Sequence, residues 1–223
     1  MCIRDRTSQA ASVNLGKLKK VRALKFAFLL LVCISLIGCM GSPEVVEQPP
    51  MDAEAMADGA MELCDADDDG FITKSEAKAC PSIKSAMIDL DIDPKDNKIS
   101  RDEMLARFNL YVESKIGLTA PSIRVVKGSQ NGIGLVGATV KMIPESFMED
   151  YIEPAEGTVI DPETGYTNIS AVAGMPGVRI GFYRIEITSD DMKVPAKFNE
   201  KSIYGVEIPP VTSKAAEMIF VVK

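Results

Sequence analysis

The stretch DADDDGFITKSE, Asp65–Glu76, decides how the first half of this 223-residue chain is expected to fold. Aspartates occupy its first, third and fifth positions, a glycine its sixth and a glutamate its twelfth. Three carboxylates this close together repel one another unless a cation lies between them. The spacing is typical of a loop that wraps a calcium ion, in which Gly70 permits the sharp turn. An acidic surface turn has no need of Gly70 and Glu76 at these offsets, so the stretch predicts calcium binding.

Each ligand position of such a loop has its own role. Positions one, three and five bind through carboxylates, position seven through its backbone carbonyl, position nine through a hydroxyl or a bridging water, and position twelve through a bidentate carboxylate. The predicted ligands of the first loop are Asp65, Asp67, Asp69, Phe71, Thr73 and Glu76. The chain has no histidine, which excludes Ser-His-Asp and Cys-His catalysis and the usual catalytic zinc sites. Any metal bound here should therefore be a hard cation held by oxygen.

A second acidic stretch, DIDPKDNKISRDE, runs from Asp91 to Glu103 and is one residue longer. It has Asn97 where the first loop has its glycine. Alignment on the final glutamate puts the extra residue at Pro94-Lys95, where it should displace the third or fifth ligand rather than the twelfth. The predicted ligands are Asp91, Asp93, Asp96, Lys98, Ser100 and Glu103. We expect this second loop to bind calcium more weakly than the first; a decayed site and a plain acidic turn are the alternatives.

The N-terminal residues have the pattern of an export signal. A basic stretch is followed by a largely apolar run, Phe26–Ile37, that is too short to span a bilayer. Leu36-Ile37-Gly38-Cys39 resembles a bacterial lipobox, which implies cleavage before Cys39 and a lipid anchor on it. We therefore predict a signal peptide over residues 1–38, of which residues 1–16 are suspected to be a spurious start.

The mature N-terminus is expected to be a membrane tether. Residues 39–51 are rich in proline and glutamate, and they read as a lipidated, semi-extended linker. Met40 rather than aspartate follows the cysteine, which by a sorting rule of some Gram-negative bacteria points to the outer membrane. The net charge of −7 disfavours a nucleic-acid partner, whose phosphates need a basic surface.

Apolar residues flank both loops at helical spacing. They are Ala57, Ala60, Met61 and Cys64 before the first loop, Ile83, Ala86, Met87 and Leu90 before the second, and Met104, Leu105, Phe108 and Tyr111 after it. We expect Asp52 to cap the first helix and Gly117 to end the last. The two helix–loop–helix units resemble the compact EF-hand repeats of bacterial secreted and envelope proteins. This resemblance implies a small all-α EF-hand pair over residues 52–117.

The same resemblance implies a disulfide between Cys64 and Cys80. In EF-hands these two positions face each other across the entering and exiting helices. After processing, the two cysteines form an even pair in an oxidising compartment. The alternative, two reduced core cysteines, is less expected outside the cytoplasm.

From Leu118 the chain changes to short runs of alternating apolar and polar residues with Gly, Pro and Asp between them. The stretches GLVGATVKMIP, GTVIDPETGYTNIS, GMPGVRIGFYRIEIT and VPAKFNE occur in the order seen in carboxypeptidase regulatory-like domains, which this region resembles. Gly134 stands where proline is usual and Ile160 where threonine is. The resemblance implies an all-β, seven-stranded transthyretin-like or immunoglobulin-like sandwich over residues 118–223, common in envelope lipoproteins of planctomycete-type bacteria. The predicted fold class is thus α+β and multidomain.

Three functions follow from these features. The leading hypothesis is a lipid-anchored envelope protein that binds calcium for structural purposes and displays a β-sandwich. The alternative is a calcium-dependent adhesion or docking module for another envelope protein or a polysaccharide. An enzyme is not expected, because the only candidate carboxylates, Glu153, Glu156 and Asp161, fall in stretches where acidic residues are usually just solvated.

Overall fold

The computed structural model describes residues 46–92, 95–210 and 217–223. The signal peptide and the lipid-attachment residue Cys39 that the sequence predicts lie outside these residues. Within the described part of the chain there are three α-helices and a set of mostly antiparallel strands, so the fold is mixed α+β. Among the described residues, no helix is long and apolar enough to cross a membrane.

The three helices lie in the first half of the chain. They are α1 (Ala53–Cys64), α2 (Pro81–Leu90) and α3 (Arg101–Glu113). Asp52 caps α1 as predicted, since its Oδ1 accepts a hydrogen bond from the Ala55 amide at 3.1 Å. Helix α2 begins at Pro81. Proline lacks a backbone N–H, but the N–H groups of the first turn have no partner within a helix, so no helical hydrogen bond is lost there. The faces predicted to be apolar are largely buried in all three helices.

The end of α3 differs from the sequence-based expectation. The helix ends at Glu113 with Ser114 as its C-cap, so Gly117 was wrongly predicted as the capping residue. A Cβ atom on Gly117 would lie 1.6 Å from the carbonyl oxygen of Val46. The glycine is therefore needed for the close approach of the N-terminal segment rather than for a helix cap.

A two-stranded antiparallel ribbon joins the two acidic loops. It consists of β1 (Phe71–Thr73) and β2 (Lys98–Ser100), with Ile72 opposite Ile99. Both isoleucines are completely buried. The ribbon thus fixes the loops side by side.

The second half of the chain forms two sheets. The three-stranded sheet has the order β6 (Tyr166–Thr167), β3 (Ile123–Lys127) and β9 (Met218–Val222), and β3 is parallel to β9. The four-stranded sheet has the order β5 (Ala155–Thr158), β4 (Thr139–Pro144), β7 (Gly181–Thr188) and β8 (Gly205–Ile208), all antiparallel. The central strand β7 buries Phe182, Tyr183, Ile185 and Ile187.

The helices and the sheets share one hydrophobic core. The ring of Phe108 on α3 makes edge contacts with Phe147 and Phe182, whose centroids are 5.9 and 5.8 Å away. A Cβ atom on Gly59 of α1 would lie 2.9 Å from the Phe147 Cβ, so α1 also packs directly on this residue. The acidic loops are therefore carried by helices whose apolar sides are buried against the sheet region.

The end of the predicted tether packs on the folded region. The Gln48 Nε2 donates to the Tyr111 carbonyl at 2.7 Å, and an Arg179 guanidinium nitrogen donates to the Glu47 carbonyl at 2.5 Å. These bonds place the described start of the chain beside the C-terminal end of α3.

Candidate metal centre

Three acidic side chains of the first loop come together at one point. Asp65, Asp67 and Glu76 each offer a carboxylate oxygen, and these oxygens all lie within 4.8 Å of one another. Asp65 is the C-cap of α1, and Glu76 begins a short 3₁₀ helix, Glu76–Lys78. The cluster could hold a metal ion, since three carboxylates at this separation repel one another without a cation between them.

Backbone amides shape the loop around Asp65. Its Oδ2 accepts from the Gly70 amide at 2.9 Å, and its Oδ1 accepts from the Asp69 amide at 3.2 Å. Gly70 has a φ of +86°, a left-handed conformation that glycine adopts without strain. These bonds curl the chain back over the first carboxylate of the loop, so that positions one, three and twelve converge.

Both oxygens of Glu76 are fixed by hydrogen bonds from the loop. Its Oε1 accepts from the Ala66 amide at 2.9 Å, and its Oε2 accepts from the Thr73 amide and hydroxyl at 2.8 and 2.7 Å. The Thr73 hydroxyl is the main cause that lowers the pKa of Glu76 below its usual value. These hydrogen bonds therefore favour the ionised form of the Glu76 carboxyl, which is the form that binds a cation.

Asp69, the predicted fifth-position ligand, faces a cation from the other loop. Its Oδ1 accepts from the Phe71 amide at 2.9 Å, and its Oδ2 lies 3.6 Å from the Lys98 ammonium. The same ammonium lies 4.9 Å from the centre of the Phe71 ring. The structure thus brings Asp65, Asp67 and Glu76 together and turns Asp69 toward Lys98.

The second loop repeats the hydrogen bonds of the first. Asp91 accepts from the Asp96 and Asn97 amides at 3.1 and 2.8 Å, as Asp65 does from the fifth- and sixth-position amides of its own loop. Glu103 accepts from the Ile92 amide and from the Ser100 amide and hydroxyl, each at 2.8 Å. The two loops therefore fold alike at both ends, despite their difference in length.

Two details explain how the longer loop keeps this shape. Asn97 has a φ of +65°, so it occupies the left-handed position that Gly70 occupies in the first loop. Asparagine is among the few residues with a side chain that tolerate this region. Asp91 lies 26 residues after its counterpart in the first loop, Asp65, whereas Asp96 lies 27 residues after its counterpart, Asp69. The extra residue of the second loop is therefore one of residues 93–95. Asp93 and Pro94 lie outside the described residues.

The predicted disulfide is present. Cys64, the last residue of α1, is bonded to Cys80, which directly precedes α2, and the two Cα atoms are 6.2 Å apart. Both cysteines are buried. The bond ties together the two helices that precede the two loops.

The sequence reasoning missed the contacts that attach α3 to the sheet region. The Arg107 Nε donates to Glu207 Oε1 at 2.5 Å, and the Tyr111 hydroxyl donates to the same oxygen at 2.5 Å. The residues are about a hundred positions apart. None of the stretches quoted in the sequence analysis covers β8, the strand that carries Glu207, which is only four residues long and buries only Ile208.

Glu153 and Asp161, two of the three acidic residues considered for catalysis, have ordinary partners. Glu153 pairs with Arg179 at 3.3 Å. Asp161 accepts from the Glu163 amide at 2.8 Å and from the Thr164 hydroxyl, which lowers its pKa. Glu156 lies in β5 opposite Lys141.

Comparison of the chain with protein-family models, with curated proteins and with solved structures found no match.

Proposed function

We propose that this chain is a lipid-anchored envelope protein that binds calcium through a pair of EF-hand loops. The observation that carries the proposal is the convergence of Asp65, Asp67 and Glu76, whose carboxylate oxygens lie within 4.8 Å of one another. The repetition of the same hydrogen bonds in the second loop supports it, because a coincidental acidic turn has no reason to occur twice in the same form. Calcium suits the site because it takes six to eight oxygen ligands and accepts a bidentate glutamate.

We assign the predicted ligands to two sites. Asp65, Asp67, Asp69, Phe71, Thr73 and Glu76 would hold the first ion, and Asp91, Asp93, Asp96, Lys98, Ser100 and Glu103 the second. Phe71 and Lys98 would bind through their backbone carbonyls. Asp69 would have to turn from the Lys98 ammonium to reach the ion.

The role of the ion in this proposal is structural. Extracellular calcium modules commonly bind with dissociation constants of about 10⁻⁴–10⁻³ M. At about 1 mM calcium and a dissociation constant near 0.1 mM, one site adds roughly 1.4 kcal/mol to the free energy of unfolding. The burial of the helices against Phe147 and Phe182 favours this role over a sensor that opens an apolar groove.

The rest of the proposal concerns the sheet region and the anchor. We propose that the three- and four-stranded sheets form the seven-stranded sandwich of a carboxypeptidase regulatory-like domain, which accords with their strand total. No enzymatic activity is proposed for it. A lipid on Cys39 would then attach the molecule to the outer membrane through the segment that ends at Met51.

Calorimetric titration of the purified chain with calcium tests the proposal. We expect two ions to bind, with magnesium at the same concentration binding more weakly. The double substitution Asp65→Asn and Glu76→Gln should remove one ion, and Asp150→Asn, which changes an exposed aspartate in the second half of the chain, should remove none. Absence of any calcium-dependent heat from the unaltered chain would refute the function.

Calcium-dependent adhesion or docking is a second candidate. Ile133 and Ile160 are 66% and 75% exposed, and they lie in neighbouring loops joined by a bond from the Gly134 amide to the Pro162 carbonyl at 2.8 Å. Exposed isoleucines grouped in this way favour a partner, such as another envelope protein or a polysaccharide. Retention of an envelope fraction on the immobilised chain in calcium, and its loss in the Ile133→Ser, Ile160→Ser variant, would support this candidate.

A further inference from the structure

Strand β9 lies at the edge of the three-stranded sheet and is hydrogen-bonded along one side. Its residues pair in parallel with Ile123–Lys127 of β3 without a break in register. In the described part of the chain, no strand lies on the other side of β9. A regular, apolar strand with an open edge is a template for pairing with another chain.

The two ends of β9 direct their backbone groups toward β3. The Met218 amide donates to the Ser122 carbonyl at 2.8 Å, and the Gly128 amide donates to the Val222 carbonyl at 2.9 Å. Alternate residues of a strand bond the same neighbour in a parallel ladder. Phe220, midway between the two ends, therefore also directs its backbone groups toward β3.

Ile219 and Val221, the two residues in between, direct their N–H and C=O groups toward the open edge. Nothing in residues 46–92, 95–210 or 217–223 bonds these four groups. Strand β5, at an edge of the other sheet, differs in this respect, because Glu156 and Ser170 exchange backbone bonds of 3.2 and 3.0 Å there. The outward groups of β9 need either water or another strand as a partner.

Glu217 and Lys223, which flank β9, place opposite charges at equal distances from its centre. Glu217 lies three residues before Phe220 and Lys223 three residues after it, and both are exposed. Because side chains two positions apart share a face of a strand, both lie on the face of Ile219 and Val221. A second copy of β9, related by a two-fold axis through Phe220, would thus bring its lysine opposite the glutamate of the first copy.

The carboxylate of Glu217 is already fixed on this face of the sheet. Its Oε1 accepts from the Tyr166 hydroxyl at 2.6 Å and lies 3.5 Å from a guanidinium nitrogen of Arg124. Both contacts use the same oxygen, and no described residue bonds Oε2. The side chain is 40% exposed, so a second cation can reach the carboxylate without displacing it.

We propose that the open edge of β9 pairs with β9 of a second copy of this chain, antiparallel and centred on Phe220. In this register Ile219 of each copy lies opposite Val221 of the other, and their outward N–H and C=O groups make four hydrogen bonds. Glu217 of each copy lies opposite Lys223 of the other, so an ion pair closes each end. The two three-stranded sheets become one sheet of six strands. Neither acidic loop takes part, so the pairing is independent of the proposed calcium binding.

Sedimentation velocity of the purified chain over a range of concentrations tests the pairing. We expect a reversible and weak monomer–dimer equilibrium, because a contact along one strand buries less surface than a standard protein–protein interface. A chain that stays monomeric up to about 1 mM would overturn the proposal.

Charge reversal at the end of the strand tests the register without touching the sheet. Lys223→Glu should raise the dissociation constant of the dimer about tenfold, because two symmetry-related pairs change from opposite to like charges. Adding Glu217→Lys to this variant should recover most of the affinity. Lys115→Glu, which makes the same charge change at an exposed residue after α3, is the control and should have no effect.

Proline at the edge tests the backbone bonds. Val221→Pro removes one outward N–H from each copy and leaves the bonds to β3 in place, so the monomer should stay folded by circular dichroism. No dimer should form. A dimer that neither Val221→Pro nor Lys223→Glu weakens would use a different surface and would overturn the proposal.

Amide exchange resolved by residue completes the test. The amides of Ile219 and Val221 should become protected as the protein concentration rises, whereas the Phe220 amide, which faces β3, should be protected at every concentration. Protection of Ile219 and Val221 in the dilute monomer would show that the chain itself covers this edge, which would also overturn the proposal.

Discussion

The ammonium of Lys98 lies 3.6 Å from Oδ2 of Asp69, so the seventh residue of the second loop places a positive charge against the fifth carboxylate of the first. Strand pairing brings about this contact, since Lys98 is opposite Thr73 in the β1–β2 ribbon. In the proposed site, this charge competes with the ion for Asp69.

Replacing Lys98 by glutamine should strengthen calcium binding at the first loop. The backbone carbonyl proposed as a ligand is unchanged, and only the competing charge is lost. Both side chains are about 40% exposed, where an ion pair contributes at most about 1 kcal/mol. We therefore expect up to about a fivefold gain in affinity at low salt, measured by calorimetry.

Lys74→Gln is the control for this substitution. It removes one positive charge from the first loop itself and leaves the pair between Lys98 and Asp69 in place. A similar gain in both variants would mean that net charge alone sets the affinity. No gain in Lys98→Gln would show that the ammonium does not restrain Asp69.

The left-handed conformation of Asn97 predicts a difference between two substitutions. Asn97→Gly should change the free energy of unfolding by no more than a few tenths of a kcal/mol. Asn97→Ala should lower it by about 1 kcal/mol, because a Cβ atom without a local polar group is strained at positive φ. Urea unfolding in EDTA measures both values without a contribution from the ion.

Gly70→Ala is the companion test in the first loop. A Cβ atom on Gly70 would meet nothing within 4 Å, so any loss of stability comes from its φ of +86° and not from a clash. We expect a loss similar to that of Asn97→Ala. If alanine were harmless at both positions, the loops would not depend on the left-handed residue.

Local features of the helical half were predictable from the sequence. The spacing of Ala57, Ala60 and Cys64 on α1 gave its buried face, and Asp52 is followed by a helix because it can bond a free amide of the first turn. These patterns arise from interactions within about four residues, so they can be read without the rest of the fold. The approach of Asp65, Asp67 and Glu76 was predictable in the same way, because all three lie within one stretch of twelve residues.

Contacts between distant segments could not be predicted in this way. An alternating pattern shows which side of a strand is buried but does not show what covers it. Nothing in the sequence therefore predicted the packing of Phe108 against Phe147 and Phe182. The role of Gly117 was misassigned for the same reason, because the residue that requires it, Val46, is far away in sequence. Arg107 and Glu207 are charged residues, which a sequence alone suggests are exposed, and only the folded chain brings them together.

Loss of the Cys64–Cys80 bond should destabilise the chain substantially. The bond spans 16 residues, and closing a loop of that size restricts the unfolded chain by about 3 kcal/mol on the chain-entropy model. Urea unfolding with and without a reductant measures the difference, and alkylation under denaturing conditions verifies the redox state. The Cys64→Ser, Cys80→Ser variant should be insensitive to reductant, and an unaltered chain that is equally insensitive would show that the bond contributes nothing.

The buried carboxyl of Glu145 should make stability depend on pH in an unusual direction. Desolvation raises its pKa above the usual value, against a smaller opposing effect of the Ser82 hydrogen bonds. Because the folded-state pKa is raised, the stabilising contribution is complete below the unfolded-state pKa and is lost as the pH rises through the folded-state pKa. The unaltered chain should therefore lose stability relative to Glu145→Gln between mildly acidic and neutral pH, since glutamine still accepts from Ser82 and carries no charge. Urea unfolding of both proteins across this pH range measures the difference in the free energy of unfolding. Glu149→Gln, which changes an exposed glutamate, is the control for net charge. A gain in stability of the unaltered chain relative to Glu145→Gln at higher pH would contradict the prediction.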